Sequence, residues 1–363
     1  MRGDLAIITY SQKIVVKKRE TSSNKDTQRQ LSICREGLGI HLSKWPQMTD
    51  VQMVYRSRQL GCGISLFTKR LGVELSRRGI FVRDCNFPSQ SLIPGLNTII
   101  HYVPSMWAGD EGALAVLLSK VKSKNVIAVL HGMYGPHEET YLKETLCPEL
   151  AFHVSVLSTS AQTIIALSQS CNDAWHLWDI DDFGTKVEVF SHPGASRSDW
   201  NDLPKESYIF LGGINRPKKD IQGERLRNLL HDYYQRGVKV WVHISNPSQQ
   251  YFHLPVWRLT TGILSDDRWF DALARAEAVL CPYETRLQCV SGIISESLSL
   301  GTRVISTDFP FAREMKRLYS DLVHIEDDLL KWGTFTPGET THLVGSQIPT
   351  WGEFADMIAS KLI

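Results

Sequence analysis

The segment QCVSGIISESLSLGTRVISTD (288–308) carries one carboxylate, Glu296, among small and apolar residues. Read as a turn of small residues, a short helix and a buried strand, it puts Ser291 and Gly292 at a helix start. The first backbone N–H groups there lack intrahelical partners, and the helix dipole favours negative charge. Such a start can seat a phosphate. Glu296 follows about one turn later, roughly 6 Å along the axis at 1.5 Å per residue. From there its carboxylate could accept hydrogen bonds from a ribose whose diphosphate lies at the helix end. The plain alternative is a solvated glutamate after an ordinary Ser-Gly turn.

The elements that must position these residues follow an alternating pattern. VQMVYRS (51–57) reads as a strand, and ISLFTKRLGVELSRRG (64–79) follows with Ile64, Phe67, Leu71 and Leu75 at helical spacing. Short apolar runs recur at NTIIHYV, NVIAVLHG, TIIALS and KVEVFSHPG, and their brevity and β-branching suit strands buried on both faces. A polar stretch, GASRSDWNDLPKES (194–207), precedes a second series: YIFLGGINRPKKD (208–220), VKVWVHIS (238–245), AEAVLCPYE (276–284) and the opening segment. Alternating strands and helices predict stacked βαβ units, hence two α/β, Rossmann-like parallel-sheet domains facing across a cleft. Such folds bind ligands at domain clefts and at the carboxyl ends of parallel strands. His131 ends the run NVIAVL and precedes Gly132 and Gly135, which aims it into that cleft.

Residues 1–50 belong to neither series; KKRETSSNKDTQRQ (17–30) is polar, charged and poor in large apolar side chains, and no role is assigned to it. Lys and Arg (40) balance Asp and Glu (39), so no global field draws the molecule to nucleic acid or to an acidic membrane. Seven scattered cysteines without a C-x-x-C pair point to a reduced, cytoplasmic compartment and against a zinc site. No run reaches the ~18–20 apolar residues of a membrane span. Integral insertion is not expected, while peripheral contact at the inner face of a membrane stays open.

On these segments the chain resembles the retaining glycosyltransferases of GT-B fold, family 4. The C-terminal half carries the likeness through YIFLGGINRPKKD, TGILSDDRWFDALARAEAVLCPYE, QCVSGIISESLSLGTRVISTDFPFAREM and PTWGEFADMIASKLI. The N-terminal half is similar more loosely, through GCGISLFTKRLGVELSRRG, NVIAVLHGMYG and VEVFSHPG. The resemblance implies an acceptor-side domain over 51–197, a nucleotide-sugar-binding domain over 198–349 and a final helix, 350–363, crossing back to the first domain. It implies a hexosyltransferase-type enzyme of glycan biosynthesis that moves a sugar from a UDP- or GDP-sugar to an acceptor hydroxyl with retention. The acceptor would be a glycan, a lipid-linked or a small-molecule hydroxyl. No cofactor and no metal are expected.

The implied roles attach residue by residue. Arg216 and Lys219 match the pair that clamps the donor diphosphate, where leaving-group charge must be neutralised; Lys218 is the lesser neighbour. Glu296 matches the second glutamate of an E-x7-E signature, which holds the ribose, and Ser291 and Gly292 match the phosphate seat. The first glutamate falls at Gln288, a departure: an amide can donate and accept hydrogen bonds to a donor sugar but brings no negative charge. Gly61 and Gly63 match a glycine-rich loop under the donor phosphates, and His131 a histidine that contacts the donor sugar or phosphate. His192 matches a strand-end position with a supporting role.

Other features carry plain readings. Lys69, Arg70, Arg77 and Arg78 read as a solvated basic helix face, with contact to anionic lipid as the alternative. Trp107, Trp241 and Trp269 read as packing anchors. Two rivals bound the functional reading. A dinucleotide-dependent oxidoreductase needs G-x-G-x-x-G after the first strand, and GCGISLF lacks the third glycine. A non-catalytic nucleotide-sugar-binding subunit of the same fold is kept open by Gln288.

Overall fold

Short β-branched apolar runs become the strands of two parallel sheets. The computed structural model describes residues 7–10, 13–16, 50–56, 63–88, 90–107, 112–121, 125–134, 146–178, 186–196, 200, 203–213, 224–245, 254–283, 288–327 and 348–362. Residues 1–48 and 49–363 form two separate units. In the first, β1 (Ile7–Tyr10) and β2 (Lys13–Val16) pair antiparallel, with Ile7 opposite Val16 and Tyr10 opposite Lys13. The sequence reading placed no element there.

The second unit begins with β3 (Asp50–Tyr55), α1 (Gly63–Arg77), β4 (Phe81–Asn86), β5 (Asn97–Tyr102), α2 (Pro104–Trp107) and α3 (Ala113–Val121). It continues through β6 (Val126–Leu130), α4 (Leu146–Ser160), β7 (Thr163–Ala166), α5 (Gln169–His176) and β8 (Lys186–Val189). The strands form one parallel sheet in the order β4-β3-β5-β6-β7-β8. Every residue of β6 is buried, as a central strand covered on both faces requires.

The second sheet comprises β9 (Glu206–Leu211), α6 (Glu224–Gln235), β10 (Lys239–Ile244), β11 (Arg258–Thr261), α7 (Asp266–Arg275) and β12 (Ala276–Cys281). Then come α8 (Gly292–Ser299), β13 (Arg303–Ser306), α9 (Pro310–Leu318) and β14 (Val323–Ile325). Its strands are again all parallel, in the order β11-β10-β9-β12-β13-β14. In chain order this is the 3-2-1-4-5-6 arrangement of dinucleotide-binding sheets, which reverses direction between β9 and β12. The first sheet reverses between β3 and β5.

The last helix, α10 (Trp351–Leu362), returns to the first sheet. Trp351, Phe354, Ala355, Ile358 and Leu362 join its core, and Phe67 on α1 lies edge-on to Trp351 and Phe354 at 4.8 and 5.5 Å between ring centroids. Cys289 and Val290 also pack in that core although they follow a strand of the second sheet. The loop entering α8 is therefore anchored in the opposite half of the fold.

Candidate functional site at the switch point of the second sheet

β9 and β12 are neighbours at the point where the strand order reverses, and sheets of this topology bind ligands beyond the carboxyl ends of their strands at such a point. Gly212 and Gly213 follow β9 at that end, and α8 is the helix after β12. Arg216, Lys218, Lys219 and Gly61 lie outside the described residues. Gly63 is exposed at the first position of α1, with open space where a Cβ would stand.

Ser291 is the N-cap of α8, with extended backbone, but its hydroxyl makes no capping bond. It pairs instead with the Tyr283 hydroxyl at 2.8 Å. The amides of the first turn of α8 are thereby left without a side-chain cap, the condition in which a helix start attracts an anion. Gly292 sits under the imidazole of His192, where a Cβ would come 3.1 Å from Nε2. His192 Nδ1 donates to the Pro193 carbonyl at 2.9 Å, which leaves Nε2 unprotonated. Burial drives this ring's pKa down to about 4, so it faces the helix start as a neutral group. The Gln288 amide donates back to the Val290 carbonyl within its own loop.

Glu296 is 4% exposed, and both its oxygens are engaged. Oε1 accepts from Arg70 Nη1 and Oε2 from Trp269 Nε1 at 2.7 Å. Arg70 comes from α1, in the other half of the fold, and also holds Asp266 through Nε at 2.8 Å and Nη2 at 2.7 Å. Its guanidinium stands 4.8 Å over the Phe270 ring and 5.7 Å from that of Trp351. Burial pushes the Glu296 carboxyl above its ordinary range against the pull of Arg70 and Trp269. Burial acts to lower the pKa of Arg70, but Glu296 and Asp266 outweigh it and the net shift is upward. A carboxylate offers about four lone-pair positions. Two are occupied, which leaves acceptor capacity on both oxygens.

The expected solvated face of α1 thus holds two residues that are neither fully solvated nor free, Arg70 and Arg78. Arg78 is tied to Glu74 at 3.0 Å and to Asp356 of α10 at 2.5 Å, and Arg77 pairs with Glu74. Lys69 and Arg77 are exposed. Among the described residues no helix is long and apolar enough to cross a membrane.

His131, immediately after β6, is half-buried. Its Nε2 lies 2.9 Å from Nδ1 of His101, a β5 residue that is 1% exposed. Phe67 sits edge-on to His101, His131 and His192, with centroids 5.6, 4.5 and 5.2 Å away. His131, His192, Gly292 and Glu296 therefore gather around Phe67 and Arg70 of α1. Sequence reasoning missed Arg70, Trp269 and His101. Arg70 had a signal: it stands three residues after Phe67, beside the apolar stripe rather than opposite it.

Across from this centre, Glu314 of α9 caps α5. Its carboxylate accepts from the amides of Gln169 and Ser170 at 3.0 and 2.8 Å and from the Ser170 hydroxyl at 2.6 Å. The Ser168 hydroxyl donates to the Cys289 carbonyl at 2.6 Å, and the Cys289 thiol to the Met133 carbonyl at 3.1 Å.

No protein-family model matches the chain, and no curated protein matches it. Solved structures do. Trehalose-6-phosphate synthase, OtsA, aligns over 86% of this chain and 96% of its own at 10% identity, with a TM-score of 0.52. The apo structure of OtsA covers the same shares at 11% identity and a TM-score of 0.51. The Escherichia coli protein bound with UDP-2-fluoro glucose covers them at 11% identity and a TM-score of 0.50. At such identities the likeness is one of fold: two Rossmann-like parallel sheets, the α/β GT-B architecture.

Proposed function

We propose that this chain is a glycosyltransferase that moves a sugar from a UDP- or GDP-sugar to an acceptor hydroxyl with retention of configuration. One observation carries the reading: the uncapped start of α8 at the switch point of the second sheet, with Glu296 one turn further on. A solved structure of like fold is bound with UDP-2-fluoro glucose, which supports a nucleotide sugar as the ligand class.

In this reading the donor diphosphate meets the amides of Ser291, Gly292 and the residues after them, and Arg216 and Lys219 neutralise the charge that builds as it leaves. The ribose hydroxyls use the remaining lone pairs of Glu296, whose direction Arg70 and Trp269 hold fixed. The acceptor oxygen attacks the anomeric carbon on the face the diphosphate is leaving, and its proton passes to a phosphate oxygen. No side chain forms a covalent intermediate, and side chains and amides supply the countercharge. The acceptor is a glycan, a lipid-linked or a small-molecule hydroxyl.

A panel of UDP- and GDP-sugars tests this by release of free nucleoside diphosphate, with Arg216→Ala and Glu296→Ala as controls. Turnover that survives both substitutions would sink the site assignment. Gln288, folded back on its own loop, favours a second reading: a nucleotide-sugar-binding subunit without turnover. Tight donor binding with no release, and release gained in Gln288→Glu, would decide for it.

A further inference from the structure

His101 has one partner for two ring nitrogens. Nδ1 lies 2.9 Å from His131 Nε2, while Nε2 is buried without a hydrogen-bond partner among the described residues. Burial holds the pKa of His101 at about 3 and that of His131 well below its ordinary value, so both rings are neutral and share one N–H between them. Two arrangements satisfy that contact. If His131 donated, the proton of His101 would sit on Nε2, an orphaned N–H in the core. If His101 donates, its Nε2 is left as a bare lone pair. Orphaned buried N–H groups are the rarer defect, so the second arrangement is favoured.

It has a consequence for His131. With Nε2 accepting from His101, the proton of His131 must stand on Nδ1, which makes no hydrogen bond to any described residue. We infer that His101 is a positioning residue that fixes His131 as its Nδ1–H tautomer and so turns it into a neutral hydrogen-bond donor for an oxygen of the nucleotide sugar. The ligand half of this rests on the proposed function; the tautomer half does not. It assigns His131 a definite task. As a neutral donor it orients an oxygen, and its shared Nε2 is not available as a general base. Phe67 packs edge-on to both rings.

Full-length protein labelled with ring-15N histidine tests the assignment by long-range 1H–15N correlation, with His131→Asn identifying the signals. Wild type should show His131 with a protonated Nδ1 and a bare Nε2. His101→Phe should move the proton of His131 toward Nε2, and His101→Gln, whose amide can donate, should hold it on Nδ1. A protonated Nε2 in wild type, or a His131 signal unchanged in His101→Phe, would overturn the proposal. The wild-type spectrum decides this even where His101→Phe does not fold.

The ligand half is read by titration with UDP and UDP-glucose. His101→Phe should weaken binding roughly tenfold, the scale of one lost hydrogen bond, and His101→Gln should restore most of it. An equal loss for both ligands places the contact on the diphosphate; a loss for UDP-glucose alone places it on the sugar. Equal affinity of wild type and His101→Phe for both ligands would remove the donor role while leaving the tautomer. Failure of wild type to bind either one, or any other nucleotide sugar, would bring down the proposed function and the ligand half together.

Discussion

Arg70 and Glu296 form an ion pair between side chains that are 11% and 6% exposed and 226 residues apart in the chain. The guanidinium comes from the helix after the first strand of one sheet, and the carboxylate from the helix at the switch point of the other. With Asp266 on the same guanidinium and Trp269 on the same carboxylate, four side chains join the two halves beside the proposed donor seat.

Removing one member of such a pair strands the other. Arg70→Met should lower stability by about 3–5 kcal/mol, because Glu296 stays buried with only an indole donor. Arg70→Lys should recover only part, since one ammonium cannot reproduce the fork that serves two carboxylates. Arg70→Met combined with Glu296→Gln should be less costly than the sum of the single changes by about 0.5–3 kcal/mol. Urea unfolding of the four proteins measures the cycle, and strict additivity would show that the pair contributes nothing.

The sequence made the central strands legible and left three of the four edges obscure, for a physical reason. The fourth edge, β8, reads as a strand in KVEV but is an exposed edge, not the expected strand buried on both faces. NTIIHYV, NVIAVLHG and AEAVLCPYE are buried on both faces and read as apolar runs, and they became β5, β6 and β12. FVRDCN, RLTT and VHI stand at sheet edges as β4, β11 and β14 and carry polar residues along their length. Glu296 was legible because its helix start and its spacing are local. Its partners were less so: helical periodicity sets Arg70 beside the apolar stripe of α1, but its meeting with Glu296 is decided by tertiary packing, which no motif encodes. Trp269 read as a packing anchor because a lone tryptophan gives no sign that its N–H faces a carboxylate.

Glu314 should behave as a buried cap rather than as a surface carboxylate. It satisfies two amides at the start of α5 and the Ser170 hydroxyl beside them. Glu314→Ala leaves those donors unpaired and should cost roughly 1–3 kcal/mol. Glu314→Gln keeps one acceptor oxygen and should fall between. Equal unfolding midpoints for wild type and Glu314→Ala would contradict the arrangement.

Acid should destabilise the fold through its buried histidines. Burial lowers the pKa of His101 to about 3 and those of His192 and His243 to about 4, against about 6.5 for an unfolded histidine. Above about pH 6.5 these rings are neutral in both states. As pH falls through the window down to about 4, the unfolded chain binds protons that the native rings refuse. Stability should drop by up to about 1.4 kcal/mol per pH unit for each ring. Glu296 acts in the opposite sense at the lower end, because its raised native pKa lets the folded state take up a proton first. His243→Asn can keep the bond that Nδ1 makes to Thr260 Oγ1 at 3.0 Å while removing one titrating group. Unfolding free energies at pH 7, 6 and 5 should therefore fall less steeply in that variant, by about one proton's slope.

Gly194 and Ser299 should be exchangeable only together. Gly194 follows the strand-end His192-Pro193 pair and donates its amide to the Pro349 carbonyl at 2.8 Å, at the crossing of two chain segments. A Cβ on it would overlap Oγ and Cβ of Ser299 at the end of α8 and approach Ile348 Cγ2 to 3.2 Å. Ser299 has little room to give way, because its hydroxyl accepts from Ala195 N at 3.1 Å and donates to the Glu296 carbonyl at 2.8 Å. Gly194→Ala should thus cost about 1–3 kcal/mol as overpacking. Ser299→Gly alone should also destabilise, through the lost bonds and the weakened helix end. In the double variant the overlap is gone, so its loss of stability should be smaller than the sum of the two single losses. Because Ser299 is bonded to the backbone carbonyl of Glu296, the proposed function further predicts that nucleotide affinity weakens in both single variants and returns in part in the double. A double variant no better than additive in stability would mean that the chain crossing relaxes away from α8 rather than pressing on it.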